Sequence, residues 1–97
     1  MTTKTYDYDV ADHLRTREEM AAYLEAAIEE SDGDAAFIAS ALGDIARAQG
    51  MSELSQKTGL GRESLYKALS KNGNPKFSTV LKVAKALGMR FEIKPAA

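Results

Sequence analysis

MSELSQKTGLGRESLYKAL, residues 51–69, reads as two short helices joined across a three-residue turn. Leu54, Leu60, Leu65 and Ala68 stand where steeply crossing helices point side chains inward, and Ser55 is small enough to let the two axes approach. Gly59 falls just past the first helix, where the chain often takes a positive φ that a β-carbon resists. The spacing therefore predicts a helix-turn-helix, with helices at about residues 52–58 and 62–70.

The second of these helices carries Arg62, Glu63, Tyr66 and Lys67 on its outer face, with Lys71 a turn later. Side chains so placed reach double-stranded DNA when such a helix enters the major groove. Arg62 is in the first turn, where its guanidinium can pair with guanine O6 and N7. Glu63 either accepts from a cytosine amino group, or holds Arg62 and favours the positive end of the helix. Tyr66 either touches a phosphate or a thymine methyl, or packs. Lys67, Lys71, Lys76, Lys82 and Lys85 suit phosphate neutralisation. Ser52 either bonds a phosphate beside free backbone amides or caps its own helix.

Upstream, TREE at residues 16–19 is a capping box, which predicts a helix over 17–30 with Met20, Tyr23, Leu24, Ala27 and Ile28 as its buried stripe. After SDGD, Asp32 or Asp34 caps a second helix running through 48 and ended by Gly50. Its apolar face is Phe37, Ile38, Ala41, Leu42, Ile45 and Ala46. Gly43 within it costs about 1 kcal/mol relative to alanine, a loss that a close approach by another helix would compensate. A fifth helix is expected at about 77–87, after the turn-rich NGNP. Beyond Gly88 the period changes: Met89, Phe91 and Ile93 alternate with Arg90, Glu92 and Lys94, as in a strand. Tyr6, Tyr8 and Val10 alternate with Asp7 and Asp9, a pattern of either a short extended N-terminal arm or a frayed terminus. The whole reads as one all-α domain over 1–97. An arm and first helix (1–33) precede a five-helix fold's helix-turn-helix core (34–88), and a short C-terminal β-strand (89–94) follows.

The 97 residues carry a net charge of only −1, but the sum hides a division. Residues 1–53 hold 4 Lys or Arg against 12 Asp or Glu, whereas residues 54–97 hold 9 against 2. A basic half facing phosphate, with an acidic half turned away or toward a basic protein, is the simplest electrostatic reading. With no cysteine there are no disulfides and no thiolate zinc site, and His13 is the one histidine. No apolar run nears the roughly 20 residues that span a bilayer, and MTTKTYDYDV lacks the basic and apolar regions of a signal peptide. A cytoplasmic protein without membrane association is expected. Without a phosphate-binding glycine loop or a nucleophile–histidine set, no catalytic residue, metal site or cofactor is expected either.

GDIARAQGMSELS, TGLGRESLYKALS and GNPKFSTVLKVAKALG, together with YLEAA in the first helix, resemble the addiction-module antidote (antitoxin) proteins that carry a Cro/repressor-type helix-turn-helix. The resemblance covers nearly the whole chain. It implies a Cro/repressor-like fold and a homodimer that represses its own operator DNA. It also implies neutralisation of a small basic RelE/ParE-like toxin, as in a type II toxin–antitoxin module. At Gly61 the sequence departs from the family's usual serine, which caps the recognition helix.

Two further readings share these residues: a stand-alone prophage-type transcriptional repressor, and a protein interaction module that has lost DNA binding. On the antitoxin reading, the helix bearing Glu18, Glu19, Glu25, Glu29 and Glu30 is either the toxin-facing surface or a solvated acidic face. The alternating C-terminal segment predicts a dimer made by strand pairing across a two-fold axis, or else a strand that packs on its own N-terminal arm or adds to the toxin.

Overall fold

The computed structural model describes residues 14–96. Five helices follow one another among them: α1 (Arg17–Ser31), α2 (Ala35–Gln49), α3 (Met51–Thr58), α4 (Arg62–Ala68) and α5 (Phe77–Ala86). The expected arm with Tyr6, Tyr8 and Val10 lies outside the described residues, as does His13.

The first two helices begin on side-chain chemistry. Thr16 is extended, and its hydroxyl accepts from the Glu19 N–H at 3.0 Å while the Glu19 carboxylate accepts from the Thr16 N–H at 3.1 Å. This reciprocal pair satisfies two donors that a helix start otherwise leaves unpaired. α1 ends at Asp32, which takes a left-handed conformation. Asp34 is the residue that caps α2, accepting from the Phe37 N–H at 2.9 Å.

α2 is the central element, against which α1, α3 and α5 all pack. Leu42, Ile45 and Ala46 on it are fully buried, together with Leu69 and Val83, and Met20, Leu24, Leu54 and Leu65 join the same core. Two polar ties reinforce the apolar contact. The Tyr23 hydroxyl donates to Asp44 at 2.6 Å across α1 and α2, and the Gln49 amide donates to the Leu14 carbonyl at 2.8 Å. At Gly43 a β-carbon would collide with the backbone carbonyl of Leu69 at the end of α4. The glycine in mid-helix thus lets α4 close onto α2.

The structure departs from the sequence reading along the α1 and α2 faces and at the C-terminus. The predicted stripes overrun the core, since Ile28 and Phe37 stand exposed near the α1–α2 turn. Helical periodicity gives the direction of a side chain but not whether a neighbour extends far enough to cover it. The expected C-terminal β-strand at 89–94 does not form, and the described residues contain no strand. A strand is completed by a partner strand, and here Met89 and Phe91 are engaged otherwise while Ile93 is fully exposed. The Met89 N–H donates to the Ala84 carbonyl at 2.9 Å, closing the end of α5, and the Phe91 ring tilts against Phe77 with centroids 6.3 Å apart. Glu92 meanwhile holds Arg90 at 3.2 Å and Lys94 at 3.5 Å. No helix among the described residues is long and apolar enough to cross a membrane.

Candidate nucleic-acid interface

The turn between α3 and α4 is fastened by its own side chains. Gly59 has φ 76°, the left-handed conformation expected of it, and its N–H donates to the Ser55 carbonyl at 2.9 Å. The Ser55 hydroxyl donates to the Leu60 carbonyl at 2.5 Å. The Thr58 hydroxyl accepts from the Leu60 N–H at 3.2 Å and donates to the Leu54 carbonyl at 2.8 Å. Sequence reasoning valued Ser55 for its size; its hydroxyl is also a clamp, and Thr58 was not singled out at all. Both hydroxyls act locally on backbone, a habit of Ser and Thr at turns that the spacing of TGLG could have suggested. Leu54 and Leu65 are buried beneath the turn and Leu60 partly so, as their spacing predicted.

α4 begins at Arg62 after an extended Gly61, with no side-chain cap. Arg62, Glu63, Tyr66 and Lys67 are all exposed on it. The Arg62 guanidinium carbon lies 5.9 Å from the centre of the Tyr66 ring. A cation–π contact of this kind is worth about 0.5–1 kcal/mol at an exposed site, and a stacked guanidinium keeps its in-plane N–H donors. Tyr66 therefore orients Arg62 from outside the core, with 41% of its own surface exposed. Glu63 lies in the first turn of α4, where its charge suits the helix dipole, and among the described residues no ion pair joins it to Arg62.

Beyond α4 the loop folds back instead of simply separating two helices. The Gly73 N–H donates to the Ser70 carbonyl at 2.9 Å, and a β-carbon on Gly73 would strike the carbonyls of Ala68 and Lys67. An open groove results, lined by Ser64, Lys67, Ser70, Asn72 and Asn74. The two asparagines serve the turn that NGNP predicts, and the pattern KNGNPK also sets them between the cations Lys71 and Lys76. Lys71 is exposed in this loop, and Lys76 is exposed just before α5. Lys82 and Lys85 are exposed on α5. Ser52 is exposed as the second residue of α3 and is not its cap, a position held by Gly50. The structure thus joins Arg62 to Tyr66 and Lys67 to the loop, whereas Ser52 and Lys76 share no hydrogen bond or ion pair with them. Chemically this surface is rich in cations and donors. Among the described residues no group of His, Cys, Asp or Glu is arranged to hold a metal ion.

Comparison with known proteins agrees along nearly the full length. A family model described as a probable addiction module antidote protein matches residues 4–95. A Haemophilus influenzae protein described as uncharacterized is 49% identical over 94 residues, covering 97% of this chain and 95% of its own length. No solved structure matches. With both matches spanning the α1–α2 pair, the fastened turn and the basic surface beyond it, the chain belongs to the family of probable addiction module antidote proteins.

Proposed function

We propose that this antidote protein is a DNA-binding transcriptional regulator of a type II toxin–antitoxin module. In this reading it neutralises a small basic RelE/ParE-like toxin and represses its own operon, using α3 and α4 as a Cro/repressor-type helix-turn-helix. It acts in the cytoplasm as a homodimer and catalyses nothing. The observation that carries the DNA-binding reading is the Arg62–Tyr66 pair, exposed in α4 on a turn that Ser55 and Thr58 hold fast. Lys67 and the loop groove add a place for phosphate. Dimerisation is supported by the large apolar side chains left exposed in the C-terminal part of the described chain, Phe77 at 70% and Ile93 fully. Two copies of α4 about 34 Å apart, or a multiple of it, would read a palindromic site.

The test is binding to the chain's own upstream DNA over a range of salt, with Arg62→Ala and Lys67→Ala beside the parent protein. Arg62→Ala is expected to weaken the specific site about tenfold and to relax sequence preference, because a bidentate base contact contributes about 1–3 kcal/mol of discrimination. Lys67→Ala should weaken all sequences alike and lower the salt slope by about one. If no fragment is preferred over random DNA, DNA reading falls and an interaction module remains, a reading that the uncapped Gly61 start of α4 favours.

A further inference from the structure

We propose that the groove between α1 and α2 is the docking surface for a basic amphipathic helix of the protein partner. The proposal rests on the antidote reading and gives it a place on the molecule. Ala26, Ala27 and Ala41 line the groove with small side chains, and Phe37 borders it. Glu30 and Asp44 are its acidic members.

Three features of this groove run against what folding alone favours. Phe37 is 47% exposed on a helix whose other large apolar residues are covered, so its apolar area stays in water. The last turn of α1 carries Glu29 and Glu30 and no basic residue, which sets carboxylates at the negative end of a helix dipole. Asp32 follows at the α1 C-cap, whereas the Asp34 carboxylate is taken up in capping α2. Glu30 has no ion pair among the described residues, whereas Asp44 is held by Arg47 and the Tyr23 hydroxyl. Local rules broken together at one surface mark a site where something outside the chain supplies the compensation. An apolar side chain seated against Phe37 and a cation beside Glu30 meet both deficits, and one helix face offers them at i and i+4 spacing. The same charge argues against other occupants. DNA and anionic lipid are repelled, and a second copy would bring acidic rim against acidic rim.

The ¹⁵N-labelled full-length chain, titrated with a synthetic amphipathic Leu/Lys helix, tests this. A control peptide replaces each Lys by Gln. The expected result is a set of amide shifts centred on Ala26, Glu30, Phe37 and Ser40, with the Gln peptide binding about tenfold or more weaker. Phe37→Ala and Glu30→Lys should each weaken the Leu/Lys peptide about tenfold, while Glu18→Lys, an equal charge change at the far end of α1, leaves binding within about twofold. Shifts centred on α5, equal binding of the two peptides, or equal losses from Glu18→Lys and Glu30→Lys overturn the proposal. A toxin encoded beside the gene that binds both groove variants as tightly as the parent chain also overturns it, and leaves the antidote reading standing. Peptide binding in the groove of a chain that neutralises no toxin supports the surface and removes only that reading.

Discussion

The two halves of this chain reach the helical state by different routes. α1 and α2 have 15 residues each and start on side-chain caps, Thr16 and Asp34. α3, α4 and α5 have 8, 7 and 10 residues and start at Gly50, Gly61 and Lys76, none of which caps through its side chain. Helices below about 12–15 residues are marginal in water by themselves, so the basic half depends on packing where the acidic half has local help. The difference teaches how the proposed interface is held. Arg62 and Lys67 project from a helix that is positioned by Leu65 and Leu69 in the core and by hydroxyl bonds in the turn, with little stability of its own.

If the halves are coupled in this way, the largest effect belongs to their closest contact. Gly43→Ala gains about 1 kcal/mol of helix propensity. It also drives a β-carbon into the Leu69 carbonyl, which is backbone and cannot swing aside. Overpacking of this kind costs about 1–3 kcal/mol, and with no soft neighbour to yield the upper end applies. A net loss of about 2 kcal/mol in urea unfolding is expected, with α4 amides losing hydrogen-exchange protection more than those of α1. Equal loss of protection in both helices would break the distinction between the halves.

How legible each half was follows from the same contrast. Thr16–Glu19, Gly50 and Gly59 act on their immediate neighbours, so their roles were written in the sequence and appear in the structure, and the structure chooses Asp34 over Asp32 as the α2 cap. The exposure of Phe37 and Ile28 was not legible, because it depends on where the opposing helix runs out. Alternation at 89–93 suggested a strand that does not form, because a strand needs a pairing partner that the described chain does not offer. Within the candidate site, Arg62, Glu63, Tyr66 and Lys67 were placed on the outer face by helical period alone, and there they lie. The contact of Arg62 with Tyr66 was missed although i, i+4 spacing allowed it, as was the return of Asn72 and Asn74 toward Lys67. The loop turns on the close approach of Gly73 to the Ala68 carbonyl five residues back, which helical period does not give.

A smaller effect tests the acidic half. Thr16→Ala removes the hydroxyl that accepts from Glu19 and breaks the reciprocal cap, for which a loss of about 1 kcal/mol is expected. Circular dichroism and urea titration should show reduced stability with affinity for the proposed operator unchanged once folded, since α1 packs chiefly against α2. A drop in operator affinity at full folding would mean that the start of α1 bears on the interface after all.

The smallest expected change bears most directly on the proposed DNA binding. Gly61 is extended at φ −66° and ψ 148°, a conformation open to any residue, and the nearest atom to a β-carbon there is the Ser64 hydroxyl at 4.0 Å. Gly61→Ser therefore enters without strain and offers α4 the oxygen that its first-turn amides lack. The cap itself adds a few tenths of a kcal/mol over glycine, and reduced freedom of the unfolded chain adds a comparable amount, so a gain of about 0.5 kcal/mol is expected. If operator affinity rises while the salt slope stays fixed, the presentation of Arg62 was the limiting quantity, because phosphate contacts alone set that slope. If stability rises and affinity does not, the bonds of Ser55 and Thr58 had already fixed the start of α4, and a missing cap is no weakness of the basic half.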